Sequence, residues 1–310
     1  MSGILPGIEE LRAPASLPGT ALPLTRPPRS YWRTSAERLW ENRLGVVCGA
    51  YVLLLAGLAI LAPLASRYVT HYSPTAQDLT HLFRPPGGPH MLGTDELGRD
   101  TLTRLVYGAQ VSLTVGFLTA SLSLVVGGAV GMVAGYLGGW LDNVLMRLVD
   151  IILSIPAIFL FILLSVLLRP NAITLSFIIA FVGSGNVGRL VRAEALSLRS
   201  REFIVATRSV GAGTLRLIIR HLLPNALPVM IVAASLAVGQ IILAEAALSY
   251  LGLGIQPPTP SWGNMLSNAQ QYYYHSAWLV IFPGVMIFVT VLAANLFGNA
   301  VRDAFDPRLR

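Results

Sequence analysis

The chain contains few charged residues and no lysine. Charged side chains make up only 12% of the 310 residues, whereas hydrophobic residues make up 54%. Because soluble domains carry about 25% charged residues, this scarcity excludes an ordinary solvated domain and predicts a membrane protein. A net charge of +7 would suit nucleic acid in a soluble protein. In a membrane chain we expect the charge to follow topology instead, with lipid and no nucleic acid as a partner.

Cysteine and catalytic motifs are equally scarce. The single cysteine, Cys48, excludes an internal disulfide and is interpreted as a packed apolar residue. The chain has no Gly-x-x-x-x-Gly-Lys-Ser/Thr motif, which excludes ATP hydrolysis by a phosphate-binding loop. Its five histidines are scattered and form no triad-like pattern. We therefore predict a non-catalytic chain that holds no cofactor and no metal.

Long apolar intervals dominate the sequence. Each is close to the roughly 20 residues that cross a bilayer, and the first lies too far from the start to be a cleaved signal peptide. The predicted fold is therefore all-α, a polytopic membrane protein with six transmembrane helices. The predicted spans are Leu44–Ser66, Ala109–Leu141, a third with its core at Ile151–Leu168, Pro170–Gly188, about Pro228–Leu251, and Ala277–Val301.

The arginines orient these spans. With both termini in the cytoplasm, 17 of the 22 basic residues fall on the cytoplasmic side, as the positive-inside rule requires. The predicted organisation is a disordered cytoplasmic arm at 1–34, an interfacial helix and first span at 35–66, an extracytoplasmic segment at 67–108, a five-helix core at 109–301 that includes a cytoplasmic loop at 195–227, and a cytoplasmic tail at 302–310.

A basic, helix-forming segment, residues 201–228, separates the fourth and fifth spans. It cannot lie in hydrocarbon, where an arginine at a helix centre costs about 2.5–3.5 kcal/mol. An apolar stripe runs along it at helical spacing, which favours a helix offered to another protein. A helix lying flat on the membrane is the alternative. The stripe consists of Leu215, Ile218, Ile219 and Leu222.

Local signals predict how this segment turns. A helix is expected from Glu202 to Val210, and Gly211 and Gly213 permit a turn after it. Thr214 is the predicted N-cap of a second helix, and Pro224 its predicted end.

Small residues and prolines mark the spans. Glycine recurs every four residues along the second span, which predicts close approach of another helix; a chance arrangement facing lipid is the alternative. Pro156 and Pro283 are expected to kink the third and sixth spans, as in a gate or in a rigid bundle. The glycines are Gly127, Gly131, Gly135 and Gly139.

A corner with several acidic residues precedes the second span. Asp95 and Asp100 lie close to Arg99, which can neutralise them, and no histidine stands at ligand spacing, so no metal site is predicted. Asp100 is the predicted N-cap of a short helix that ends at Gly108. The proline-rich loop with Trp262 is expected at the same surface.

Four motifs, in order along the chain, carry a resemblance to a known family. They are GTDELGRD at Gly93–Asp100, the segment Arg201–Pro224, EAALSYLGLGIQPPTPSWGNML at Glu245–Leu266, and RDAFDPRLR at Arg302–Arg310. Over about residues 35–310 the chain resembles the C-type inner-membrane permease subunits of the dipeptide, oligopeptide and nickel ABC importers.

The resemblance implies a type I ABC importer permease in the bacterial inner membrane, half of a translocation path. It implies as partners a second permease subunit, two cytosolic ATPase subunits that bind ATP and magnesium, and an extracytoplasmic substrate-binding protein. The loop is then the "EAA" loop that docks on the ATPase, with Val205, Ala206 and Thr207 standing where the motif has Glu-Ala-Ala. The implied coupling residues are Glu202, Ala206, Arg208, Gly211, Thr214, Leu215, Arg216, Ile219, Arg220 and Pro224.

Further site residues are hypotheses on this basis. Candidates for the translocation path are the polar residues Gln240, Glu245 and Asn295, and Glu245 is either functional or a structural carboxylate. Candidates for the outer gate or for contact with the binding protein are Asp95, Arg99, Asp100 and Trp262. An ion-coupled secondary carrier that uses Glu245, and a scaffold that transports nothing, are the alternative functions. Peptides, glutathione, a nickel complex and oligosaccharides all remain open as cargo.

Overall fold

The computed structural model describes residues 31–267 and 269–306, and helices account for most of them. This confirms the all-α prediction and follows from physics, because hydrocarbon offers the backbone no hydrogen-bond partner other than itself. Among the described residues, five helices are long and apolar enough to cross a membrane, and the number of candidate spans is six if one bent pair of helices forms a single span.

The first half of the described chain contains two long helices and several short ones. In order they are α1 (Tyr31–Glu41), α2 (Arg43–Ile60), α3 (Ala62–Ala65), α4 (Thr101–Leu137), α5 (Gly139–Ser154) and α6 (Ala157–Leu168). The second half continues with α7 (Ala172–Arg199), α8 (Glu202–Ser209), α9 (Thr214–Leu217), α10 (Leu223–Tyr250), α11 (Trp262–Leu266), α12 (Ala269–Tyr272) and α13 (Trp278–Phe305). Two π-helical turns, Ser66–Thr70 and Ile218–Leu222, follow α3 and α9.

The two ends of the described chain lie together. The ring of Trp32 meets that of Phe305 edge to face at 5.5 Å. Helix α1 begins at Tyr31, so residues 31–34 are helical and do not belong to a disordered arm, while the remainder of that predicted arm, 1–30, lies outside the described residues. Likewise α13 continues to Phe305, so the first residues of the predicted tail extend the last span. Pro283, where a kink was predicted, lies inside α13 and does not interrupt the helix.

Helix α4 is longer than predicted. The side chain of Asp100 accepts a hydrogen bond from the backbone N–H of Thr103 at 2.8 Å, which confirms the predicted N-cap. The predicted stop at Gly108 is wrong, because the helix continues unbroken to Leu137. Glycine is needed at position 108 for another reason: a Cβ there would lie 3.0 Å from the indole of Trp262. The boundary drawn at residue 108 therefore falls inside a helix.

Glycines of α4 face α7. A Cβ at Gly131 would lie 2.9 Å from the backbone nitrogen of Arg192, and one at Gly135 would lie 2.7 Å from the Cβ of Ala195. Gly127 likewise faces the backbone of α7. The predicted close approach is confirmed for these three residues. It is wrong for Gly139, which starts α5 with φ +61° and has open space around it.

The third span is broken. Helices α5 and α6 are bent by 85° at Ile155 and Pro156. Proline disfavours helical backbone at the residue before it, and Ile155 is extended with ψ 129°. The predicted kink at Pro156 is thus a complete break, after which α6 buries only Phe161 and Ser165.

Candidate coupling loop and transport cavity

The loop between α7 and α10 turns at Gly211. This residue has φ +87°, a conformation that side chains other than glycine rarely adopt, and its N–H donates to the carbonyl of Arg208 at 3.0 Å. The predicted turn is therefore confirmed. The predicted cap at Thr214 is wrong by one residue, since Gly213 occupies the cap position and Thr214 begins α9 without a side-chain cap bond.

One face of the loop is anchored under the spans. Ile204, Leu217 and Leu222 are 1%, 1% and 0% exposed, respectively, and pack in a cluster with residues of α4, α7 and α10. The predicted apolar stripe is therefore divided, because Leu222 points inward whereas Leu215 is 70% and Ile219 55% exposed. The loop has an inner face buried against the spans and an outer face on which some apolar side chains are exposed.

The outer face contains all the predicted coupling residues. The arginines at 208, 216 and 220 form no ion pair within the described part of the chain. Such a mixture of unpaired cations and exposed apolar side chains is typical of a surface that meets an acidic and apolar partner. The ten exposed residues are Glu202, Ala206, Arg208, Gly211, Thr214, Leu215, Arg216, Ile219, Arg220 and Pro224.

Pro224 does not end the second loop helix, contrary to prediction. It lies in the first turn of α10, where a missing N–H leaves little unsatisfied. The π-helical turn before it lets the N–H of Leu223 donate to the carbonyl of Ile218, so the backbone passes from α9 into α10 without a break. Thr214–Tyr250 consequently forms one continuous 37-residue helix. The outer face of the second loop helix and the fifth span are therefore parts of the same continuous helix, which contains Pro228.

Ion pairs tie α5 to α7 near the loop. The guanidinium of Arg192 donates to Asp142, with one bond of 2.7 Å. Arg189 donates to Asp150 at 2.6 Å, although Arg147 lies three residues before Asp150 on the same helix. The Asp142 pair is less exposed than the Asp150 pair, which is about half exposed. We expect only the Asp142 pair to contribute appreciably to stability.

A cavity of about 400 Å³ lies between α4, α6, α7 and α10. Gln240, a predicted path residue, lines it. Asn186 also lines it and was not predicted, although an amide inside a charge-free span is a signal that could have found it. The structure does not bring the other two path candidates to this cavity. Asn295 lines a separate groove of about 640 Å³ between α10 and α13.

Glu245 is fully buried and is not on the cavity wall. Its carboxylate accepts hydrogen bonds from the hydroxyls of Ser112 on α4 and Ser249 on α10, both at 2.8 Å. Ser112 in turn accepts from the N–H of Trp262 at 3.4 Å. The carboxylate therefore joins two spans and the segment that returns from α10 towards α13. This geometry favours the structural interpretation of Glu245.

The acidic corner is a buried network. Arg99 donates to Asp95 and to Glu96, both at 2.7 Å, while Asp100 accepts from His90 Nδ1 at 3.0 Å when that nitrogen carries its proton. Near this corner and outside the spans, hydrogen bonds from His81 and Thr80 lower the pKa of the partly exposed Asp78 carboxyl.

The same corner contains the four residues predicted for contact with a binding protein. Asp95, Arg99 and Asp100 are at most 6% exposed, and Trp262 is 0% exposed with its Nε1 donating to the carbonyl of Leu105 at 3.0 Å. Because these side chains are buried in this conformation, the structure does not favour their direct contact with a partner. It favours a structural role for the corner.

Apolar spans, a mostly apolar cavity between them that contains two amide side chains, and an exposed basic loop are the features of a multi-pass membrane permease. The chain belongs to the family described as binding-protein-dependent transport system inner membrane component, which it matches over residues 127–310. Residues 30–86 match the N-terminal transmembrane domain of oligopeptide transport permease C.

Curated relatives agree over nearly the full chain. A dipeptide transport system permease protein of Alkalihalophilus pseudofirmus is 40% identical over 91% of each chain. A di/tripeptide transport system permease protein of Pseudomonas aeruginosa is 40% identical over 96% of this chain and 97% of its own. An oligopeptide transport system permease protein of Bacillus subtilis is 36% identical over 94% of each chain.

A solved structure supports the fold. The chain is similar to a chain of the MetNI methionine ABC transporter in an inward-facing conformation, with a TM-score of 0.52 and 21% identity, over 66% of this chain and 97% of that one. Together with the family, this identifies the protein as an ABC importer permease, a multi-pass membrane protein of a class that works with an ATPase and a binding protein. The comparisons support neither the ion-coupled carrier nor the scaffold.

Proposed function

We propose that this chain is one of two non-identical permease subunits of a bacterial peptide importer. It pairs with the second permease, docks on two cytosolic ATPases that carry ATP and magnesium, and receives its cargo from an extracytoplasmic binding protein. It has no catalytic role of its own. Peptide cargo is supported by the relatives, whose names specify dipeptides, di/tripeptides or oligopeptides.

In the proposed arrangement the permease lies in the bacterial inner membrane. Both termini and the basic loop are on the cytoplasmic side. This orientation is supported by the arginine distribution and by the contact between the two ends of the described chain. The acidic corner then faces outward and acts as a rigid support beside the outer gate.

The observations give most support to a proposal for how the ATPase is coupled to the permease. The exposed face of the loop docks on the ATPase, and the single observation that carries this proposal is the continuity of Thr214–Tyr250. A partner that pushes on Leu215 or Arg216 pushes directly on the fifth span. A flexible tether between loop and span would absorb the movement, whereas a continuous helix transmits it.

The test uses Gly211→Val in the complete transporter. Valine at φ +87° is strained by an amount on the order of 1–3 kcal/mol and should redirect α9 relative to α8. We expect normal insertion and normal pairing with the second permease, but weak co-purification of the ATPase and loss of ATP-driven dipeptide uptake. Gly213→Ala is the matched control, because Gly213 has ordinary backbone geometry and open space around it.

Arg216→Glu tests the electrostatic part of the same surface. We expect it to weaken ATPase docking while leaving the turn intact. Full ATPase co-purification and full uptake in Gly211→Val would overturn the proposal that this loop transmits the ATPase movement. Wild-type proteoliposomes that take up no peptide with ATP would instead overturn the proposed cargo.

A further inference from the structure

The cavity between α4, α6, α7 and α10 contains two amide side chains without a hydrogen-bond partner. Asn186 on α7 and Gln240 on α10 are both exposed and make no hydrogen bond within the described residues. Asn186 lies about 21 Å along α7 from Ala172, and Gln240 lies about 15 Å along α10 from Tyr250. Both therefore lie within a hydrocarbon layer about 30 Å thick.

An unsatisfied amide at this depth does not fit a surface that faces lipid, because hydrocarbon offers it no partner. The amides must meet water, a second protein or a cargo. The lining of the cavity is otherwise mostly apolar, as is that of the groove between α10 and α13, which contains one amide, Asn295. Unlike that groove, the cavity brings two such amides together, one on α7 and one on α10.

The hydroxyl groups in the cavity wall already donate hydrogen bonds within the chain. The hydroxyl of Thr119 donates to the carbonyl of Ser176 at 3.3 Å, and that of Ser123 donates to the carbonyl of Ala180 at 3.4 Å. Among the described residues lining the cavity, none is ionisable. The free donors of this wall are thus the two amides, and each also offers a carbonyl acceptor.

A side-chain amide carries the same donor and acceptor as a peptide group. We propose that Asn186 and Gln240 form hydrogen bonds with the main chain of the cargo in the transport cavity. Because the wall is uncharged, this chain does not discriminate between cargo side chains by their charge. This inference rests on the proposed function as a peptide importer. It adds that this half of the translocation path binds the peptide main chain, which all peptides have in common.

The test measures ATP-driven uptake of Ala-Ala, Lys-Ala and Glu-Ala by the complete transporter in proteoliposomes, each corrected for affinity to the binding protein. Gln240→Leu and Asn186→Leu should each lower uptake of all three dipeptides by about three- to tenfold, the effect of one lost hydrogen bond. The ratio between the dipeptides should stay constant. Gln240→Glu should change that ratio in favour of Lys-Ala by about tenfold.

Leu243→Glu is the matched control for the added charge. Leu243 lies about one turn from Gln240 on α10, but it lines the groove towards α13. We expect the Lys-Ala to Glu-Ala ratio to remain that of the wild type in this variant.

Two outcomes would overturn the inference. Unchanged uptake in both leucine variants would show that the amides do not meet the cargo. Loss of the second permease from the purified leucine variants would show that the amides bind that subunit instead. In both cases the wild type still imports peptides, so the proposed function survives, whereas a wild type without peptide uptake removes the function and the inference together.

Discussion

The contact between α4 and α7 gives a prediction whose size follows from the structure. At Gly131 an added Cβ would lie 2.9 Å from the backbone nitrogen of Arg192, and still closer to the carbonyl oxygen of Gly188. Real Cβ atoms essentially never come within 3.0 Å of such atoms. The obstacle is backbone rather than a flexible side chain, so the two helices must separate. Gly131→Ala is the smallest change that enforces this separation.

Two opposed effects determine the net result. Overpacking a tight contact costs about 1–3 kcal/mol. Alanine also favours a helix over glycine by about 1 kcal/mol. We therefore expect Gly131→Ala to destabilise the folded permease by up to about 2 kcal/mol. Gly131→Leu should prevent close packing of α4 against α7 altogether.

The matched control is Gly284→Ala on α13. No atom lies within 4 Å of a Cβ at Gly284, so this change should be neutral or stabilise by up to about 1 kcal/mol. The assay is the fraction of purified complex that survives heating in detergent, measured by size-exclusion chromatography. Gly131→Ala should lose its native peak at a lower temperature than the wild type, and Gly284→Ala should not. Equal survival of Gly131→Ala and Gly284→Ala would refute the close packing of α4 against α7.

Three further predictions concern orientation, ion pairing and the buried carboxylate. After replacement of the native cysteine, Thr75→Cys should react with a membrane-impermeant thiol reagent added outside and Ser209→Cys should not; the reverse pattern would invert the proposed topology. Asp142→Asn should lower stability in the same heating assay by about 1–3 kcal/mol, because it removes the charged acceptor of Arg192, and exchanging the two residues should restore part of the loss. Glu245→Gln should keep ATP-driven uptake and assembly, whereas Glu245→Leu should lose assembly; lost uptake in an assembled Glu245→Gln would revive an ionic role.

Local sequence patterns predicted the features that depend on local geometry. The cap at Asp100 and the turn at Gly211 each follow from one residue and its immediate neighbours, and both are present. The close approach of another helix to Gly131 could also be predicted, because spacing alone places small residues on one helix face. These features need no knowledge of the partner element.

Features that depend on a distant partner were not predictable in the same way. Asp150 has Arg147 within reach on its own helix, yet it pairs with Arg189 across the bundle. The sequence predicts Trp262 to be a surface aromatic residue in a proline-rich loop. Its indole is instead buried, and its N–H donates to the carbonyl of Leu105. Pro224 reads as a helix end, yet a π-helical turn makes it the start of the next span. In each case tertiary packing overrides the local signal.

The continuous helix Thr214–Tyr250 connects the exposed loop, the candidate transport cavity and the buried carboxylate of Glu245. At about 1.5 Å per residue its 37 residues extend roughly 55 Å. It carries exposed Leu215 at one end, Gln240 in the cavity wall, and Glu245 at the joint with α4 near the other end. Because the carboxylate of Glu245 accepts a hydrogen bond from Ser112, that end of the helix is joined to α4. Under the proposed docking, we therefore expect movement of the ATPase at Leu215 to tilt the helix about this joint, and Gln240 in the cavity wall lies between the docking end and the joint.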